Sequence, residues 1–175
     1  MRQIRKQTLT IGLALAATLA AAGARADGLT PAIVSDPLTG VALDGMDPVS
    51  YFTDPEPQQG LPDYEYDWRG AAWYFVNAAN RDVFARAPET YAPQFGGHSA
   101  MSLARGYLSD GDPRIYLLVA DRLYLFYSAA NREAFELSPA AALDAARANW
   151  ARLAPTLQAS RDPAGPADNP AQIKP

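Results

Sequence analysis

Apolar and polar side chains alternate most clearly at residues 64–68, where aromatic residues take every second position among charged ones. An aromatic stretch follows at 71–76. A period of two residues is typical of a strand with one buried face, so the pattern predicts a β-hairpin here. Residue Asn77 then has the side chain of a helix N-cap, and Pro88 is expected to end that helix.

The same pattern returns 51 residues further along the chain. Residues 77–84 and 128–135 share one order: a polar cap, two alanines, Asn, Arg, an acidic residue, an apolar residue and Phe. The strand pattern returns as well, with the second turn expected at Asp121-Arg122. One unit of two strands and a helix is therefore predicted twice, at about 64–88 and 115–139. Because an isolated hairpin is only marginally stable, we expect the two copies to share a core.

These elements predict a single small α+β domain of two pseudo-symmetric β-hairpin–helix repeats plus a C-terminal helix. That helix is expected to start at Ser138-Pro139 and to continue through Trp150. The aromatic residues of the strands are interpreted mainly as core side chains: Trp68, Trp73, Tyr74, Phe75, Tyr124, Phe126 and Tyr127.

The two ends of the chain differ from this domain in composition. Residues 1–26 combine a basic start, a short apolar run and small residues before Ala26, which is typical of a secretory signal peptide cleaved after that residue. We therefore expect a periplasmic or secreted protein with no stable membrane span after cleavage. The domain is assigned to 27–157, and 158–175 is expected to be a disordered Pro-rich tail.

Charge and cysteine content narrow the classes of partner. The chain carries a net charge of −4, and removal of residues 1–26, with four cations and no carboxylate, makes it −8. This acidity argues against nucleic acid as a partner. The chain has no cysteine, which excludes disulfides, thiolate metal sites and thiol nucleophiles.

Candidate binding residues are concentrated in the segment between the two predicted repeats. His98 is the only histidine, and Met101 follows three residues later, so an imidazole and a thioether are available to copper. Gly96 and Gly97 allow close backbone approach, and Ser99 or His98 is a candidate cap for a short helix, so Gly96, Gly97 and Ser99 are candidate cofactor-binding residues. The alternative is a tight turn with a structural His and a core Met.

Catalytic motifs are absent from the sequence. There is no nucleophile elbow, zinc-protease motif, phosphate loop or dinucleotide fingerprint. His98 and Ser99 are adjacent, an arrangement that rarely lets a base face a nucleophile. We therefore expect no catalytic residues, although paired carboxylates would not be visible in the sequence.

Several motifs resemble exported bacterial proteins of the YHS domain family. They are residues 45–52, the Gly, Trp and Phe at 70, 73 and 75, and the run from Asn80 through Gly97, with matches continuing to Asn149-Trp150. The resemblance covers about 43–153 and implies an association with heavy-metal handling. Relatives usually have Tyr-Cys-Ala after the two glycines, where this chain has His98, Ser99 and Ala100, so the soft ligand is replaced by a hydroxyl.

Two functions follow as hypotheses. The first is a non-enzymatic domain that binds a metal ion, with copper as the first choice, or a small ligand near Gly96, Gly97, His98 and Ser99. The alternative is an interaction or scaffold module of the cell envelope with a protein partner and no ligand site. The repeats are interpreted as scaffold. Functional residues are therefore sought in the segments that are not repeated, residues 95–101 and 46–48.

Overall fold

The structure, a computed structural model, describes residues 32–157; the expected signal peptide at 1–26 and the tail at 158–175 lie outside this range. The described chain is an α+β domain with two separate antiparallel hairpins. In chain order its elements are α1 Ser50–Thr53, β1 Leu61–Trp68, β2 Ala71–Phe75, α2 Ala78–Arg86, α3 Pro88–Tyr91, α4 Ala100–Ala104, β3 Asp112–Val119, β4 Arg122–Phe126, α5 Ala129–Glu136 and α6 Pro139–Leu153, with 3₁₀ turns at Leu43–Gly45, Gln94–Gly97 and Ala154–Thr156.

Both hairpins are closed by two-residue turns with positive φ. In the first, Arg69 and Gly70 have φ of 51° and 73°; in the second, Ala120 and Asp121 have 49° and 55°. Two successive left-handed residues match the twist of the flanking strands. The second turn therefore lies one residue before the predicted Asp121-Arg122, and Arg122 already belongs to β4.

The helices that follow the hairpins begin at the predicted caps. The Asn77 side chain accepts the N–H of Asn80 at 2.9 Å, and the Ser128 hydroxyl accepts the N–H of Asn131 at 3.3 Å. Each bond satisfies one of the free donors at a helix N-terminus. The last helix, α6, runs three residues past Trp150 and packs along α4.

Two apolar clusters form the core, and β4 contributes to both. Leu123 and Leu125 pack into the first cluster, which also holds Trp73, Phe75 and Phe84. Tyr124 and Phe126, which alternate with these leucines along β4, point to the opposite side and pack into the second cluster. The second cluster consists of Ala100, Tyr124, Phe126, Phe135 and Leu143.

The turns before the two hairpins share one backbone conformation. Residues 43–45 have φ of 54°, 51° and 78°, and residues 95–97 have 57°, 64° and 91°. Matching hydrogen bonds follow: the Gly60 N–H donates to the Gly45 carbonyl at 2.8 Å, and the Gly111 N–H to the Gly97 carbonyl at 2.9 Å. Here the offset between corresponding residues is 52, and it becomes 51 from residues 58 and 109 onward.

Residues 95–101 and 46–48 were interpreted as segments outside the repeats. The turn at 95–97 and the residues that follow it nevertheless match the turn at 43–45 and Met46-Asp47 in backbone conformation and hydrogen bonding, although their side chains differ. The constant offset of 51 residues does not reveal this match, because one residue fewer lies between Ser99 and Ser109 than between Asp47 and Gln58, the residues that pair through matching hydrogen bonds.

No helix within residues 32–157 is both long enough and apolar enough to cross a membrane.

Candidate functional site

His98 lies in the interior beside the last helix. Its side chain is fully buried, and its ring centroid is 5.7 Å from that of Trp150. The Nδ1 atom is 3.7 Å from a carboxylate oxygen of Asp110, and the two residues also form an antiparallel backbone bridge. The backbone bridge joins His98 to the loop before β3, and the imidazole contributes no surface to solvent.

The two glycines before His98 bring the start of the described chain close to this turn. The N–H of Val34 donates to the carbonyl of Gly96 at 2.7 Å. A Cβ atom on Gly96 would overlap the carbonyl oxygen of Ala32, and one on Gly97 would lie 3.3 Å from the Val34 side chain. Protein backbone therefore occupies the space that a cofactor at Gly96 would need.

Ser99 caps α4 and is fully buried. Its hydroxyl accepts the hydroxyl of Ser102 at 3.1 Å, and Ser102 in turn accepts the hydroxyl of Ser109 at 2.7 Å. Met101 is partly buried against the second apolar cluster. Within residues 32–157 no three or more His, Cys, Asp or Glu side chains are grouped so as to hold a metal ion.

Asp47 lies two residues after the turn at 43–45, as Ser99 lies two residues after the turn at 95–97, and Asp47 is a fully buried carboxylate. One oxygen accepts the N–H of Val49 at 2.8 Å. The other accepts the N–H of Val76 at 2.9 Å and the side-chain amide of Asn80 at 2.7 Å. The helix α1 begins at Ser50, and Asp47 joins that helix start to the end of β2 and to α2.

An open cleft of about 390 Å³ borders the outer side of the His98 turn. We call it the Asp110 cleft. Four of its lining residues are aspartates, and its lining contains no Lys, Arg or His. It is lined by Val34, Ser35, Asp36, Pro37, Leu43, Asp44, Gly97, Asp110, Gly111, Asp112, Pro113, Leu125 and Tyr127.

The aspartates of this cleft differ in how far their oxygens are already engaged. Asp36 accepts the backbone N–H and the hydroxyl of Thr39 at 2.7 and 2.9 Å, and these bonds lower the pKa of its carboxyl. Asp112 accepts the N–H of Arg114 at 2.8 Å, and Asp44 lies 3.9 Å from the Arg114 guanidinium. Asp110 is 70% exposed, and one of its carboxylate oxygens lies 3.7 Å from Nδ1 of the buried His98.

Of the candidate residues named from the sequence, only Gly97 lines this cleft, while His98 and Ser99 are buried behind it. Sequence reasoning missed Asp110, Asp112 and Tyr127. The signal for the two aspartates was the turn-forming stretch 109–113, which was not weighed as a site. Tyr127 was interpreted as a core residue; because β4 ends at Phe126, its side chain is instead 64% exposed.

No family model, curated protein or solved structure matches this chain. The resemblance to the YHS domain family therefore depends on the motifs quoted above.

Proposed function

We propose that this protein is a non-enzymatic domain that works after export and binds a small ligand in the Asp110 cleft. The observation that carries the proposal is the cavity itself. It opens at Gly97, next to the turn that holds His98, and its polar side chains come from segments far apart in the chain. A concave site with a few convergent polar groups is the usual form of a small-molecule site.

We also propose that the domain arose from one unit used twice. The matched φ values of residues 43–45 and 95–97 support this, as do hairpins whose bounds differ by 51 residues. In this view Asp47 and Ser99 are corresponding scaffold positions. The ligand cleft is then a feature of the second half, extended by Asp44 and by residues 34–37.

The experiment is a binding screen followed by mapping on the purified protein. Amide NMR signals are recorded during separate titrations with copper(II), with a neutral small molecule, with an anionic one and with a cationic one. We expect shifts to be concentrated at Gly97, Gly111 and Tyr127. If no titrant shifts these signals at millimolar concentration, the proposal is wrong.

Copper at His98 and Met101 is a separate arm of that screen. Copper(I) is included under reducing conditions, and wild type is compared with His98→Ala and Met101→Leu. Tighter copper binding by wild type than by both variants would support a metal function. Equal weak binding by all three proteins would exclude these residues as ligands.

A scaffold function is the second candidate, and one observation favours it. In the described chain β1 pairs only with β2, so its outer edge is open, and Asp63, Glu65 and Asp67 are exposed along it. An open edge with one sign of charge suits an extended basic segment of a partner. Co-purification from cell envelopes with the triple variant Asp63→Asn, Glu65→Gln, Asp67→Asn tests this. An unchanged set of partners would count against it.

A further inference from the structure

The size and lining of the Asp110 cleft distinguish between classes of ligand. A cavity of about 390 Å³ is far larger than the volume of about 30 Å³ that one water molecule occupies in the liquid. A metal ion bound directly by protein needs several oxygen or nitrogen ligands at about 2.0–2.6 Å. Residues 32–157 contain no group of three or more His, Cys, Asp or Glu side chains placed to hold a metal ion, so the coordination of a bare ion would be incomplete. Because an ion is also small, it would leave most of the cleft unfilled.

Part of the cleft wall is apolar. Leu43, Leu125 and Pro113 are buried residues that contribute to its wall, and the ring of Tyr127 stands exposed at its edge. Covering the exposed ring of Tyr127 is favourable for an aliphatic or aromatic group, at about 25 cal/mol per Å² of apolar area removed from water. The face of an aromatic ring also attracts cations.

The charge of the cleft comes from aspartates, of which Asp110 is the most accessible. Its carboxylate is largely exposed, while its backbone is fixed by the bridge to the buried His98. Asp112 is two residues away, and one of its oxygens already accepts the Arg114 N–H. A cationic head that reaches either carboxylate gains a charge-assisted hydrogen bond, and both residues line the same cleft.

From these observations we infer that the cleft binds an organic cation, an ammonium or guanidinium group carried on an apolar body. The head lies at Asp110 and Asp112, and the body lies against Leu125 and Tyr127. This inference rests on the proposed function, because it names the ligand class of the same cleft. Such a group is found on free amines and also on lysine or arginine side chains of peptides.

The test uses phenethylamine and its neutral analogue 2-phenylethanol, which have the same apolar body. Binding of each is measured by NMR titration to wild type, Asp110→Asn, Tyr127→Ala and Glu136→Gln. Glu136 is an exposed carboxylate on α5 outside the cleft, so Glu136→Gln is a matched control for the loss of one charge. We expect the amine to bind at least tenfold more tightly than the alcohol. Asp110→Asn should remove about tenfold of its affinity, Tyr127→Ala a few-fold and Glu136→Gln almost none.

The outcomes separate this inference from the proposed function. If the alcohol or phenylacetate shifts the cleft signals as strongly as the amine, the cleft binds ligands but the inference of a cation is wrong. If copper alone shifts them, the ligand class is also wrong. If no compound shifts them, both proposals fail. A further titration uses an acetylated pentapeptide with one central lysine. If the peptide binds more tightly than phenethylamine, the source of the cation is a protein side chain. If the peptide binds more weakly, the source is a free amine.

Discussion

His98 has the same backbone conformation as Met46, with φ −69° and ψ 148° against φ −68° and ψ 142°. Both residues follow a left-handed turn, and each forms a bridge with a residue shortly before the next hairpin, Asp110 for His98 and Gln59 for Met46. The chain thus places its only imidazole directly after one left-handed turn and a thioether directly after the other. This relationship identifies His98 first as a packing residue.

We expect His98→Ala to lower the free energy of unfolding by about 2–4 kcal/mol, since a fully buried ring beside Trp150 is lost. Met46→Ala is the matched control, and its cost should be smaller because Met46 is only partly buried. Urea denaturation at neutral pH provides the measurement. A cost below about 1 kcal/mol for His98→Ala would contradict this role.

Asp47→Ala should be among the most destabilising polar substitutions. It removes the acceptor of the Val76 N–H and of the Asn80 amide, and each unpaired donor costs about 1–3 kcal/mol. The change Ser99→Ala removes a helix cap and the acceptor of the Ser102 hydroxyl, which are bonds to an uncharged group, and should cost less, at about 1–2 kcal/mol. Both are measured by denaturant unfolding. Equal costs for the two variants would show that the carboxylate does not join the surrounding elements as described.

Phe84→Ala and Phe135→Ala should each cost about 3–5 kcal/mol, because both rings are fully buried. Phe84 packs against Trp73 and Phe75 in the first cluster, and Phe135 packs against Phe126 in the second. Thermal or urea unfolding of the two variants gives the comparison. A loss of less than about 1 kcal/mol at only one of them would show that the two halves are not energetically equivalent.

We expect Asp36 to make the folding stability of the domain depend on pH in the acid range. Bonds from Thr39 hold the pKa of its carboxyl below the usual 3.8, so the folded state favours the ionised form. Its stabilising contribution is therefore present at pH values above the unfolded-state pKa and is lost as the pH falls through the lower folded-state pKa. We expect the stability difference between wild type and Asp36→Asn to be largest near neutral pH and to shrink below about pH 4. A difference that stays constant from pH 6 to pH 2 would contradict this.

The hairpins and their helix caps could be predicted because their signals are local. Alternation fixes which strand face is buried, and Asn77 and Ser128 bond to the backbone three residues later. The cleft could not be predicted in the same way. Its walls come from residues 34–37, the turn at Asp44 and the loop at Asp110, which only the tertiary fold brings together. His98 was a candidate because it is the only histidine of the chain, and the number of histidines does not indicate whether a side chain is buried.

The position of β4 has a consequence for how the domain unfolds. Leu123 and Leu125 complete one apolar cluster while Tyr124 and Phe126 complete the other, so a single five-residue strand is a wall shared by both. Detachment of β4 would expose both apolar clusters to water. We therefore expect one cooperative transition, with amide hydrogen exchange in β2 and β4 sharing the same opening free energy. For the same reason, residues 32–91 and 92–157 produced as separate fragments should regain structure only when they are mixed.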